Sequence, residues 1–402
     1  MTSVITDVRP WGGPAVDLVT ADGVLSAVHD AGTAAVPEGA TVVDGGGRVA
    51  LPTFADVHVH LDSTRLGLPY RPHTGEPGRW GCIMNDRWHW RTAEKSVAER
   101  ATHTLGAAIA LGATHVRSHA QVDADSKLEK FEGVLAAREA HSGRASVRIV
   151  AFPQVGIHLE RGAAELMDEA LRQGADLVGG IDPCEIDRDP VRHVDTVFAL
   201  ATKHGKDVDI HLHERGSLGL FSLDLILERV EALGMQGHVT ISHAFCLAAD
   251  SREVREAIER IARLDVALTT IAPGSGLDLP VRALVEAGVR VGLGMDGQRD
   301  YWSPYGNADM LDRAYQLAFT QDYALEADLE LALAVASRGG RTVDDATLAR
   351  VGSTPRPGFA VGDVADLVLV DSEVAATALL DRPRPRTVVH RGRVVADGGE
   401  LR

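Results

Sequence analysis

Four short constellations carry side chains able to bind a metal or move a proton. His58-Val59-His60 is the first. Residues two apart on a strand point to one face, so both imidazoles can grip a single ion. His211-Leu212-His213-Glu214 is the second. His211 and His213 share a face by the same rule, and spacing leaves open which of them is the ligand. Glu214 follows at the strand end, where a carboxylate beside an activated water can take its proton and pass it to a leaving nitrogen. His243 in VTISHAF and Asp296 in VGLGMDG complete the set. Each has a plain alternative when taken alone: a hydrogen-bonded core histidine, an exposed loop pair, an Asp-Gly turn. Together, three imidazoles and a carboxylate, with water in the remaining position, suit one divalent ion, Zn2+ or Fe2+. Such an ion lowers the pKa of water toward about 7 and makes hydroxide available.

Position unites these residues. Between about 51 and 350 the chain repeats a strand-then-helix unit. Eight strand candidates are FADVHVHLD, THVRSHAQVD, VRIVAFPQVGI, ADLVGGIDP, VDIHLHE, VTISHAF, VALTTIAP and VRVGLGMDG. Helix-like stretches such as VAERATHTLGAAIALG and DPVRHVDTVFALATKHG lie between them, several ending at Gly. Eightfold alternation is what an α/β fold of the (β/α)8 TIM-barrel type requires. Most candidates finish in polar residues: His58 and His60, His119, Gln154, Asp182, His211 and Glu214, His243, Asp296. All strand C-termini of such a barrel converge on one face, so these residues should meet. His119 is a further candidate for that face, Asp182 equally a turn residue before Pro183. Trp302 either stacks over a planar ring or packs in the core. Trp80, Trp88 and Trp90 follow strand one and suit either a lid or an oligomer contact.

The ends differ from the middle. Residues 1–50 and 351–402 read as short strands and turns, each too small for a core of its own. They are expected to pair into one small β-sandwich domain beside the 51–350 barrel. The formal net charge of −16 disfavours nucleic acid and anionic membranes as partners. Three scattered cysteines, no leader-like start and no apolar run long enough to span a bilayer lead to a cytoplasmic expectation.

These motifs resemble the amidohydrolase superfamily: HxH on strand one, His on strands five and six, Asp on strand eight. HVHLD at 58–62, IVAFPQVGI at 149–157, HLHE at 211–214, SHA at 242–244 and GMDGQRDYWSPYGNADML at 294–311 resemble cytosine deaminase and related heterocycle aminohydrolases, including enzymes that dealkylate aminotriazines. The resemblance implies that His58, His60, His211 and Asp296 bind one metal. It implies Glu214 as proton shuttle, His243 as a polarising partner of water and Gln154 as a contact to the substrate ring. Binuclear members often carry a lysine at the end of strand four. GGIDP has none, and none of the five lysines falls at an expected strand end, so a mononuclear site follows. Cytosine deaminase itself has two successive Asp at the end of strand eight; here the second position is Gly297, expected to leave room for a ring substituent. The implied activity is hydrolytic deamination of a cytosine-like or other nitrogen heterocycle by a homo-oligomeric enzyme. The alternatives are hydrolysis of a cyclic amide or lactam, or of an N-alkylaminotriazine. A non-enzymatic barrel is disfavoured because every ligand is present.

Overall fold

The computed structural model describes residues 2–73, 75–353 and 356–402. Thr354 and Pro355, inside the expected turn-rich stretch 351–363, lie outside the described residues. Eight parallel strands follow one another around a single sheet: Phe54–Val59, Ala113–Gln121, Ser146–Phe152, Leu177–Ile181, Asp207–His211, Val239–Ser242, Ala267–Thr270 and Val291–Leu293. The Asp296 N–H donates to the His58 carbonyl at 2.7 Å, and Val59 bridges Asp296, which joins the eighth strand's extension to the first. All eight strand candidates are strands, but they are shorter than the sequence stretches. His60, Gln154, Asp182, Glu214, His243 and Asp296 lie one to three residues past the pleat. Three of them, Asp182, His243 and Asp296, turn there with φ of 32°, 69° and 61°. Non-glycine residues rarely hold this left-handed backbone, and such strain concentrates at functional sites.

The helices position the strands by familiar local rules. Pro190–His204 shows the pattern. The Asp189 side chain caps it by accepting from the Arg192 N–H, proline occupies its first turn, and Gly205 ends it at φ 60°. Val194, Val197, Phe198 and Ala201 recur at helical spacing and are buried, so one face packs on the barrel. Burial of each larger side chain contributes roughly 1.5–3 kcal/mol. Among the described residues no helix is long and apolar enough to cross a membrane.

Both ends of the chain share the second sheet. Its seam is the antiparallel pairing of Leu367–Val370 with Val49–Pro52. Strand Thr2–Pro10 pairs with Thr41–Asp44 through Ser3–Thr6 and with Val49–Pro52 through Arg9 and Pro10. The irregularity between Ile5 and Val8 lets this one strand serve both layers. Ile5, Leu18 and Leu25 from one layer meet Ala50, Leu367, Leu369 and Val389 from the other in a separate apolar core.

Inside the barrel the pleat stacks residues in levels. His115, Arg117 and His119 alternate along strand two, and Asp207, Asp209 and His211 along strand five. Arg117 donates to Asp209 Oδ2 at 2.8 Å and to Thr240 Oγ1 at 3.0 Å, and it also pairs with Asp344. One pleat further, toward the strands' C-terminal ends, histidines replace these paired charges.

Candidate active site

Five imidazoles converge at that level. The His58 ring lies 4.6 Å from those of both His211 and His243 and 4.5 Å from that of His119, centroid to centroid. His60 Nε2 and His211 Nε2 face each other at 3.3 Å, and Asp296 Oδ1 stands 3.4 Å from His60 Nε2 and 3.7 Å from His58 Nε2. The ligand-type atoms of His58, His60 and Asp296 lie within 4.8 Å of one another, as do those of His58, His211 and His243.

The nitrogens are short of partners. His58 Nε2, His211 Nδ1, both nitrogens of His243 and both of His119 are buried without a hydrogen bond. Leaving so many buried polar atoms unpaired is costly unless something else satisfies them. Burial, reinforced by neighbouring imidazoles, holds His119, His211 and His243 well below the ordinary histidine value. Burial also lowers His60, with Asp296 opposing it. Neutral rings with free lone pairs close to one another and to a carboxylate are the donor set a divalent cation takes. The residues present therefore fit one metal ion.

The levels beneath orient the rings. Ser242 Oγ donates to Asp209 Oδ1 at 2.6 Å, so it accepts from His58 Nδ1 at 2.9 Å and from Thr269 at 2.8 Å. This relay assigns the proton to His58 Nδ1 and leaves Nε2 free. Ser242 and Asp209 were not singled out from sequence. Their signal was there: Asp209 sits two residues before His211 on the same face, and Ser242 directly precedes His243.

A small cavity opens above His60, His211 and Asp296, walled by Phe152, Gln154, Ile181, His213, Asp300 and Trp302. Its open volume is about 20 Å³, which holds a water or two and no ring. Gln154 directs Nε2 to Asp86 Oδ2 at 3.3 Å, leaving Oε1 as the amide's acceptor atom. Asp86 is held in turn by the buried Lys130, which also donates to Gln121 Oε1 at 2.5 Å.

Several expectations need revision. Glu214 does not line the cavity: its Oε1 accepts from the Cys184 and Glu185 N–H groups, both at 2.8 Å, and its Oε2 from Ser222. The strand ends at His211, so strand alternation no longer fixes where residue 214 points. His213 lines the cavity and holds Asp182 Oδ2 at 2.8 Å through Nδ1. Its ring stacks on His243 at 4.1 Å and 28°. Asp182 is thus both the turn residue and a partner of the site, with Arg79 at 3.1 Å. His119 is one of the five clustered imidazoles but does not wall the cavity. Gly297 lines, with Asp296 and Arg299, a further cavity of about 640 Å³, and a Cβ there would meet the Asp300 carboxylate. Trp302 does reach the cavity and packs on Ile83, Phe152 and Ile181. In the helix Gly78–His89, Asn85 and His89 line a neighbouring cavity while Trp80 and Trp88 are exposed; Trp90, just beyond, is buried on Asp125.

Comparison with known proteins agrees with this geometry. Residues 80–396 match the amidohydrolase family. N-isopropylammelide isopropyl amidohydrolase of Pseudomonas sp. strain ADP is 31% identical over 367 residues, covering 88% of this chain and 87% of that protein. The crystal structure of N-isopropylammelide isopropylaminohydrolase from Burkholderia multivorans superposes with a TM-score of 0.92 at 39% identity over all of both chains. That of 5-methylcytosine deaminase from Klebsiella pneumoniae, liganded with 5-fluorocytosine, gives 0.81 at 25% identity, covering 99% of this chain and 97% of that one. With a histidine and aspartate cluster at the mouth of a parallel barrel, and a second sheet built from both termini, the chain belongs to the amidohydrolase superfamily, on its cytosine deaminase-like side.

Proposed function

We propose that this protein is a hydrolase that removes an amine from a carbon of a nitrogen heterocycle, using one Zn2+ or Fe2+ held by His58, His60, His211 and Asp296. One observation carries the reading: buried imidazole nitrogens without partners, His58 Nε2 and both of His243 among them, beside the facing Nε2 atoms of His60 and His211 on the floor of a cavity. When bound, the ion would lower the pKa of water and supply hydroxide near neutral pH.

The chain's own groups bind and move protons. Gln154 Oε1 accepts from a ring N–H. His213 has Nε2 as its free ring nitrogen, since Asp182 occupies Nδ1. That nitrogen takes a proton from water and returns it to the ring or leaving nitrogen. His243 polarises the water from below and steadies the His213 ring by stacking. Trp302 closes the cavity and swings aside to admit the ring, since about 20 Å³ is too little for it. The barrel of 51–350 carries this chemistry, and the unit of 1–50 plus 351–402 braces it. Exposed Trp80 and Trp88, 47% and 56% accessible, support a homo-oligomer. The acidic composition and unpaired cysteines support a cytoplasmic setting.

Release of ammonia or alkylamine from aminopyrimidines, aminotriazines and pterins tests the reading. His213→Ala should lower kcat by about 10²–10⁴-fold with metal retained. Wild-type kcat in that variant would return the shuttle role to another group.

A further inference from the structure

Of the chain's five lysines only Lys130 is buried. Its ammonium donates to Asp86 Oδ2 and to Gln121 Oε1, both at 2.5 Å, and stands 5.4 Å from the centre of the Trp90 ring. Gln121 is itself fixed. Its amide nitrogen donates to Asp123, whose other oxygen accepts from the Asp125 and Ser126 N–H groups and from Ser126 Oγ. Asp86 Oδ1 has no partner among the described residues, and burial pushes this carboxyl up, with Lys130 opposing. A buried ion pair is a weak source of stability, since the desolvation of both charges offsets much of their attraction.

Neither Asp86 nor Lys130 walls the cavity above the histidines, whereas Gln154 does. The link is the bond from Gln154 Nε2 to Asp86 Oδ2 at 3.3 Å. The two ends of a side-chain amide are nearly equal in size, so packing does not decide which of them faces a ligand. The partner behind the amide decides. A carboxylate only accepts, so it draws Nε2 toward itself and turns Oε1 outward. A neutral carboxyl carries an O–H and can donate to Oε1 instead, which turns Nε2 outward. Lys130 holds Asp86 toward its accepting form against the effect of burial.

We propose that Asp86 and Lys130 are a positioning pair that, through Gln154, presents a hydrogen-bond acceptor and withholds a donor at one edge of the cavity. Neither touches the substrate. Asp86 sets the direction of the amide, and Lys130 sets the form of Asp86. Discrimination follows from hydrogen-bond polarity. A ring edge carrying N–H meets Oε1, while an edge carrying a bare ring nitrogen sets lone pair against lone pair. This inference rests on the proposed C–N hydrolysis, in which Gln154 contacts the ring.

The test compares an amino-oxo heterocycle, which carries a ring N–H, with its O-methyl ether, in which that nitrogen is bare. Both are offered to metal-loaded wild type, Lys130→Met, Asp86→Asn and the Asp86→Leu/Lys130→Met double variant, with kcat/KM for amine release and Kd by calorimetry as readouts. Wild type should favour the N–H ring by about tenfold or more. Lys130→Met and the double variant should reduce that ratio to about threefold or less, chiefly by losing affinity for the N–H ring, with metal content unchanged. The double variant should remain folded, because apolar groups replace both buried charges. Asp86→Asn keeps an oxygen for Lys130 and Gln154 and should retain most of the ratio. A structural role alone would weaken both rings together. Equal losses on both rings, an unchanged ratio in the double variant, or a collapse in Asp86→Asn as deep as in Lys130→Met would overturn the proposal. If wild type releases no amine, the C–N hydrolase reading fails, and the ratio of the two Kd values still decides whether the pair orients Gln154.

Discussion

Two adjacent levels of one barrel treat buried polar groups in opposite ways. At the lower level Arg117, Asp209, Thr240 and Asp344 satisfy each other, and His115 and Arg148 also reach Asp344. One pleat above, on the same strands, His119, His211 and their neighbours leave nitrogens unpartnered. The strand twist and pleat are shared, so secondary structure does not explain the contrast. The lower level stabilises the barrel; the upper keeps lone pairs available for a ligand the chain does not itself contain. Ser242 ties the two together, bonding Asp209 below and His58 above.

The contrast can be broken from either side. The largest effect belongs above: His211→Ala should lose metal and lower kcat by more than about 10³-fold, with little change in the Tm of metal-free protein, as read by elemental analysis, kinetics and calorimetry. Below, Arg117→Met takes the guanidinium from buried Asp209, while His115 and Arg148 still hold Asp344, and should cost about 3–5 kcal/mol in urea unfolding. An equal loss of stability in metal-free His211→Ala would erase the distinction. At the joint, Ser242→Ala frees His58 Nδ1 and should weaken metal binding by about 10–100-fold, measured with a competing chelator.

Acid should dismantle the paired regions. Burial alone would raise the carboxyls of Asp344 and Asp309, but Arg117 and His115 hold the first, and Arg386 and Arg384 the second, below the usual range. Their stabilisation is complete above the unfolded value of about 3.9 and is lost as pH falls through the depressed folded values. Unfolding free energy should therefore fall as pH drops below about 4 and stay flat in this component above it. A fall setting in near pH 6 would assign the loss to other groups. The smallest effect is expected at Glu214→Gln, under about tenfold in kcat, because the amide keeps an oxygen for the Cys184 and Glu185 N–H groups.

The barrel was legible because strand periodicity and strand-end polarity act over short spans. His58 and His60 could be read from alternation because they lie in the first strand or one residue beyond, whereas alternation left the choice between His211 and His213 open. Glu214 could not, since the pleat stops at His211 and the turn decides which side chain enters the cavity. The same holds for Gly297. Its missing side chain was visible, but the Asp300 carboxylate beside it comes from a loop whose path no local pattern dictates. Asp182, read as an even choice between turn and site, is both, because a left-handed turn aims its carboxylate at His213.

The central claim is that the unpartnered imidazoles form one metal site. Metal per chain by elemental analysis, after reconstitution with Zn2+ or Fe2+ and removal of excess ion, tests it most directly. About one equivalent in wild type and almost none in His211→Ala is the result expected. No bound metal in wild type, or an undiminished equivalent in His211→Ala, would contradict it.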